Sequence, residues 1–322
     1  MQKLKSENKG LFTILIPSYN HEEYVLDCLE SVKRQNYSRI ELIIIDDHSS
    51  DKTYVLEKEW IDRNKNLFEK VTVIQNEVNL GVVKTVNRGL LLSNGEYIIR
   101  LASDDCLLDN AVFNIVEEYD KHAQYGMICF EGIMGYDYQE ALNDMSTLST
   151  LYGDIDNNKR SNLFQDLYEN DFISAPGCVI KRETYLKLGI YDEKSWIDDW
   201  EYFLRVAKNV PIYFSKVSVV FFRQVPDSLS HSPSRKKRMM MNQGELYVLE
   251  KYKNDVDIKV ANKILKRRVN LILREVLEWR ENESTDYVLK YMARNKILFT
   301  VRSYIKYLIM RIISKAANGN CG

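Results

Sequence analysis

Glu96-Tyr97-Ile98-Ile99-Arg100-Leu101-Ala102-Ser103-Asp104-Asp105 starts as a run of aromatic and β-branched residues and ends in two adjacent carboxylates. The first half has the composition of a short buried strand. A strand that breaks off into acids puts oxygen ligands at the carboxyl end of a sheet, where open α/β sheets bind their ligands. Paired acids there suit a hard divalent cation, which takes oxygen ligands and keeps positions for substrate phosphates. A solvated turn or helix cap is the simpler account of this pair taken alone, so the surrounding chain has to decide.

Upstream, Phe12-Thr13-Ile14-Leu15-Ile16 is a continuous apolar run bounded by Pro17, the mark of a strand buried on both faces. Pro17-Ser18-Tyr19-Asn20 reads as a turn, with Asn20 an N-cap and Glu23 completing a capping box for a helix over 21–35. A second strand over 41–45 runs into Asp46-Asp47-His48-Ser49-Ser50-Asp51. A third strand over 71–74 and a helix over 82–92 lead back to the opening stretch. Downstream, a helix over 110–123 and a strand over 127–130 continue the alternation, which indicates a doubly wound, mostly parallel sheet. From about 131 to 170 the pattern fades, as in a binding loop or lid. It resumes with a strand over 177–180, helices over 182–188 and 200–208, and two strands over 212–214 and 217–222. Past Ser232 the composition is helical and charged.

With 322 residues, 45% hydrophobic and 28% charged, the chain has room for one large globular domain or two modest ones. A net charge of −1 gives no reason to expect nucleic acid as a general partner. Residues 1–10 are polar and lack the apolar core of a signal peptide. No run approaches the roughly 18 apolar residues of a spanning helix. Cys28, Cys106, Cys129, Cys178 and Cys321 are scattered, as in a reduced cytosolic protein, and four histidines argue against structural zinc.

Three acidic pairs stand out: Asp46-Asp47, Asp104-Asp105 and Asp198-Asp199. Gathered carboxylates raise each other's pKa, a cost that a metal ion or a hydrogen-bonding substrate relieves. Tyr19 supplies an aromatic face beside the first pair, suitable for stacking a base. Together they suggest a nucleotide held by the first half, its phosphates meeting a metal at Asp105. Three separate solvated caps remain the competing account.

Ile14-Leu15-Ile16-Pro17-Ser18-Tyr19-Asn20, the 41–53 stretch through Asp46-Asp47, Asn79-Leu80-Gly81, Asn87-Arg88-Gly89, Gly95-Glu96-Tyr97-Ile98 and Ser103-Asp104-Asp105 resemble the family 2 inverting glycosyltransferases in order and spacing. Asp198-Asp199, Phe222-Arg223 and Asp227-Ser228-Leu229-Ser230 extend the resemblance to about His231. It implies a GT-A fold, with a catalytic domain over 1–232 (a nucleotide-sugar half over about 11–130 and an acceptor half over 131–232) and a helical region over 233–322. It also implies a nucleotide-sugar donor, usually a UDP-sugar, with Pro17, Tyr19 and Asp47 at the base, Asp46 supporting that loop, and Asn20 and Asn87 among the donor-binding residues. Asp104 would face the ribose or donor sugar, Asp105 would bind Mn²⁺ or Mg²⁺, and Asp199 would be the catalytic base. Two positions depart from the family pattern. Val86 stands where an Arg is common before Asn87, and Lys84 on the same helix is the candidate to replace its phosphate contact. Val225 and Pro226 stand where a metal-binding His is common, and His231 is the nearest substitute.

Ser234-Arg235-Lys236-Lys237-Arg238 reads either as a contact for pyrophosphate or as a solvated helix start. Residues 294–315 carry Arg294, Lys296, Arg302, Lys306, Arg311 and Lys315 beside apolar residues at helical spacing. Such a helix either lies on an anionic membrane or packs on the protein, in a homodimer for instance. The sequence thus points to a cytoplasmic transferase, peripheral on the inner membrane face, that extends a lipid-pyrophosphate-linked glycan in bacterial O-antigen or capsule synthesis. The alternatives are a transferase acting on a protein or soluble glycan, and a non-catalytic nucleotide-sugar-binding protein.

Overall fold

Strand β1, Phe12–Ser18, buries Phe12, Ile14, Leu15 and Ile16 completely, as a two-sided apolar run should. The structure is a computed structural model and describes residues 10–143, 149–152, 162–225, 234–279, 282–297 and 307. After β1 come α1 (Val25–Lys33), β2 (Ile40–Asp46), α2 (Thr53–Asn64), β3 (Lys70–Gln75), α3 (Val82–Leu92) and β4 (Tyr97–Arg100). These strands lie parallel in the order β3–β2–β1–β4, with Ser18 opposite Asp46 and Leu15 opposite Arg100. The chain steps outward from β1 to β3 and then returns to the other side of β1. That reversal opens a crevice at the carboxyl ends of the strands.

The sheet continues with β5 (Cys106–Leu107), α4 (Ala111–Lys121), β6 (Met127–Gly135), α5 (Tyr138–Asn143), β7 (Ser149–Thr150), α6 (Leu163–Glu169), β8 (Cys178–Lys181), α7 (Arg182–Leu188), α8 (Asp198–Asn209) and β9 (Ile212–Arg223). Beyond β4 the order is β8–β6–β9–β5, with β7 paired to β6. Here the sheet is mixed: β8 runs antiparallel to β4 and β6, β6 parallel to β9, and β5 antiparallel to β9.

Three local expectations differ from what forms. The two strands expected over 212–214 and 217–222 are one strand, β9. Its polar middle is absorbed by register shifts against β6, where Phe130 faces Ser215, Glu131 faces Ser218 and Gly132 faces Val220. That long partner carries β6 on to Gly135, into the stretch expected to be irregular. Helix α1 begins at Val25, because Tyr24 and Val25 donate their N–H groups to His21 O in a turn. Asn20, at φ 51°, adopts a left-handed conformation and accepts from Ser50 N at 2.8 Å, so a link to the next loop replaces the capping box.

Glu57 on α2 is fully buried. Burial raises its carboxyl to about 8, with Ser18 pulling the other way and the charges of Asp46 and Asp51 adding to the rise. The unfolded chain releases this proton near pH 4.3. The folded pKa lies above the unfolded one, so the proton stabilises the fold fully below about pH 4 and that contribution disappears as pH climbs toward about 8. Glu57→Gln should therefore gain stability relative to wild type across that window, read as a difference in urea midpoints at pH values near its two ends.

The chain falls into two units: 1–193 with 198–228, and 194–197 with 229–322. In the second, α9 (Arg235–Tyr252), α10 (Ile258–Trp279) and α11 (Asn282–Arg294) bury Leu246, Leu249, Val269, Leu273, Val276 and Val288. Gly244 of α9 lies against Trp196 and Ile197; a Cβ there would sit 3.0 Å from Trp196 Cβ. Among the described residues no helix is long and apolar enough to cross a membrane. The basic stretch 294–315 falls almost entirely outside the described residues.

Candidate active site

Strands β1, β2 and β4 deliver their acids and aromatics to one edge. Asp46 accepts from Ser49 N at 3.0 Å, from the Ser49 hydroxyl and from Gln75 Nε2 at 2.9 Å. Asp47 accepts from Leu80 N, Gly81 N and Asn76 Nδ2, each at 2.8 Å. Both carboxylates are buried and saturated by protein donors, so their work is to pin the loop after β2 to the loop that opens α3. Gly81, at φ 84°, lets that loop turn its N–H groups toward Asp47. Asn76 completes the knot, donating also to Thr85 Oγ1 and accepting from Arg88. Beside this rigid floor Tyr19 is 45% exposed and Pro17 half-buried. Lys84 is exposed on α3 and its ammonium has no ion pair among the described residues.

The acidic loop after β4 turns sharply, Asp105 N donating to Ala102 O at 3.0 Å. Arg223, at the end of β9, holds it from two sides: its N–H donates to Asp105 Oδ1 and its Nε to Asp104 O, both at 2.9 Å. The same guanidinium donates to Asp27 at 3.0 Å and stands 5.0 Å from the centre of the Tyr24 ring. Burial, then the charge of Asp104, hold the Asp105 carboxyl well above the ordinary carboxylate range. His21 Nδ1 lies 2.8 Å from Ser103 Oγ and 3.9 Å from Asp104 Oδ1.

Among the described residues no three His, Cys, Asp or Glu side chains form a ligand cluster. This donor set cannot make a closed protein cage of the zinc kind. It does fit Mg²⁺ or a similar hard ion, which binds through one or two carboxylates and fills its remaining positions with water and phosphate oxygens. The buried Asp105, raised by burial and by Asp104 more than Arg223 and Arg100 lower it, has the chemistry for that task. His231, the other expected ligand, lies outside the described residues.

The third pair opens α8, where the helix N-terminus favours negative charge. Asp198 forms an ion pair with Arg100, the last residue of β4, and the Arg100 guanidinium stands 5.5 Å from the centre of the Tyr191 ring. Asp199, partly exposed, accepts from Trp200 N at 2.9 Å. Burial, then the adjacent Asp198, raise its carboxyl to about 6, while Arg100 and the Trp200 N–H act to lower it. Asp171, beyond α6, is raised to about 8 by burial and by the charge of Asp199.

Asn87, expected at the donor, has another task. Its amide donates to Tyr191 O at 2.9 Å and accepts from Tyr191 N at 3.0 Å, so it is a strut between α3 and the segment before α8. The basic run at the start of α9 also divides. Arg235 donates to Trp279 O and Arg238 pairs with Glu275 of α10, whereas Lys236 and Lys237 are exposed and without ion pairs among the described residues. His21, Arg100, Tyr191 and Asp171 were not singled out by sequence. Arg100 alone carried a signal, as a cation in an otherwise apolar strand.

Comparison with known proteins bears on this geometry. The profile described as Glycosyl transferase family 2 matches residues 13–188. An uncharacterized glycosyltransferase of Haemophilus influenzae is 24% identical over 321 residues, covering 94% of this chain and 92% of that protein. The structure of Staphylococcus aureus TarS 1–349 with UDP-GlcNAc superposes with a TM-score of 0.60 at 16% identity, covering 81% of this chain and 72% of that one. The mannosyltransferase PcManGT of Pyrobaculum calidifontis, with GDP-Man and Mn²⁺, gives a TM-score of 0.56 at 14% identity, covering 97% and 87%.

Proposed function

Because the chain belongs to glycosyl transferase family 2 and has its GT-A fold, we propose that it is an inverting, metal-dependent enzyme moving a sugar from a UDP-sugar to a hydroxyl of a glycan. One observation carries the reading. Strand β4 leads into the Asp104-Asp105 loop and, through Arg100, also holds Asp198 beside Asp199, so one strand ties together the two acid pairs on which the reading depends.

The Tyr19 ring stacks on the nucleotide base beside Pro17, against the floor that Asp46 and Asp47 fix. Asn20, linked to Ser50, shapes the rim of that floor. Lys84 reaches toward the diphosphate and Asp104 toward the ribose or donor sugar. Asp105 would hold Mn²⁺ or Mg²⁺, which when bound would neutralise charge on the leaving nucleoside diphosphate. Asp199 takes the proton of the acceptor hydroxyl as its oxygen attacks the anomeric carbon opposite the leaving group, and one such displacement inverts configuration. A carboxyl near 6 is a stronger base than an ordinary Asp and is still ionised at neutral pH. The acceptor we favour is a sugar on a lipid pyrophosphate at an anionic membrane surface, met by Lys236, Lys237 and the basic 294–315 stretch.

A panel of nucleotide sugars with Mn²⁺, read by release of nucleoside diphosphate, tests this. Turnover of a UDP-sugar, raised by lipid-pyrophosphate glycans above soluble glycans or peptides, is the expected outcome. Turnover confined to GDP- or CMP-sugars would overturn the uridine assignment. Binding without turnover of any donor or acceptor would favour a non-catalytic role.

A further inference from the structure

Two adjacent acids at the start of a helix repel each other, and the structure resolves the conflict unevenly. One carboxylate, Asp198, is buried against the Arg100 guanidinium. The other, Asp199, accepts from Trp200 N and is partly exposed. Arginine stays charged throughout the working pH range, so this division of labour does not titrate away. The burial of Arg100 itself disfavours its charge, but Asp198, then Tyr191 and Asp199, more than restore it. Tyr191, against which the guanidinium rests, is held through its main chain by Asn87 of α3. Arg100 of β4 therefore joins the Tyr191 segment to the first turn of α8, and α3 braces that segment through Asn87.

We propose that Arg100 is the positioning residue of the base: by fixing Asp198 it fixes the first turn of α8 and aims Asp199 at the acceptor hydroxyl. The inference rests on Asp199 being that base. Among the described residues, the charged and titratable groups that act on Asp199 are Asp198 on its own helix, Arg100 from β4, Tyr191 before α8 and Asp171 beyond α6. Of these Arg100 is the one cation. Removing it leaves Asp199 among acids, whereas removing the charge of Asp198 takes away the nearest acid and leaves Arg100 in place. The two changes should therefore push the protonation of Asp199 in opposite directions.

The test compares pH profiles of kcat for wild type, Arg100→Gln, Arg100→Lys and Asp198→Asn, with thermal melts as the folding control. In Arg100→Gln the acid limb should move up by about one pH unit, and kcat at about pH 7 should fall roughly 10- to 100-fold, with donor KM changed less than about threefold. Arg100→Lys should keep the limb near its wild-type position and recover part of the rate. In Asp198→Asn the limb should move down. Opposite movements are a signature that partial unfolding cannot produce, and if Arg100→Gln does not fold, the Asp198→Asn limb decides. Unmoved limbs, or changes confined to donor KM, would overturn the proposal. Asp199→Asn separates the two levels: retained turnover there sinks the base assignment and this inference with it. An inactive Asp199→Asn beside wild-type behaviour at Arg100 and Asp198 sinks this inference alone.

Discussion

Asp199→Asn should leave donor affinity unchanged and lower kcat by roughly 100- to 10,000-fold, the range a positioned general base supplies. The amide keeps the size of the carboxylate and its acceptor oxygen for Trp200 N, so α8 should start as before. What it cannot do is take a proton. An interaction needed only in the transition state shows in kcat and not in binding, so steady-state rates must be paired with calorimetric titration of the nucleoside diphosphate. The wild-type rate should also fall as pH drops below about 6, where the carboxyl picks up a proton, and that limb should vanish in the variant. Near-normal turnover with altered donor binding would make Asp199 a structural acid.

Asp105→Ala should abolish transfer, a loss of at least about a thousandfold if a cation supplies several kcal/mol to the leaving group. It should also weaken binding of UDP in Mn²⁺, and remove the Mn²⁺-dependent part of that affinity. Asp105 additionally orders the end of β9 by accepting from Arg223 N, so Asp105→Asn is the needed companion. The amide preserves that hydrogen bond and removes the charge. If Asn behaves like Ala, charge is what matters at this position; if Asn restores Mn²⁺-dependent binding, the role is steric. Undiminished transfer by wild type in excess EDTA would overturn the metal assignment altogether.

The nucleotide half of this site is legible in sequence because its signals are local. β1 and β2 carry the apolar runs over 14–16 and 42–45, each acid pair sits within a few residues of its strand, and α3 shows helical spacing over its whole length. What binds these pieces together is not local. Arg100 and Asp198 are 98 residues apart, and no periodicity marks two residues as ion-pair partners. Asn20 shows the opposite failure: the capping-box pattern is present, but Ser49 and Ser50 arrive from the next loop and offer bonds that hold the backbone elsewhere. Strand β5, at two residues, is too short to stand out from a turn, and exists because β9 lies alongside.

The clamp of Arg223 on the acidic loop also has a consequence in time. Ribosomes extend a chain at about 5 to 20 residues per second and N-terminal segments begin to fold first. β1, β2 and β3 pair with one another and with β4, whose other side is closed only later by β8, so the floor beneath Tyr19 can begin to assemble while the remainder is still being made. Asp105 waits for a partner 118 residues further along, on the order of ten seconds later. The Asp46-Asp47 floor thus takes shape well before the Asp104-Asp105 loop is clamped. That pair of acids is drawn into shape only when the end of β9 has come alongside it.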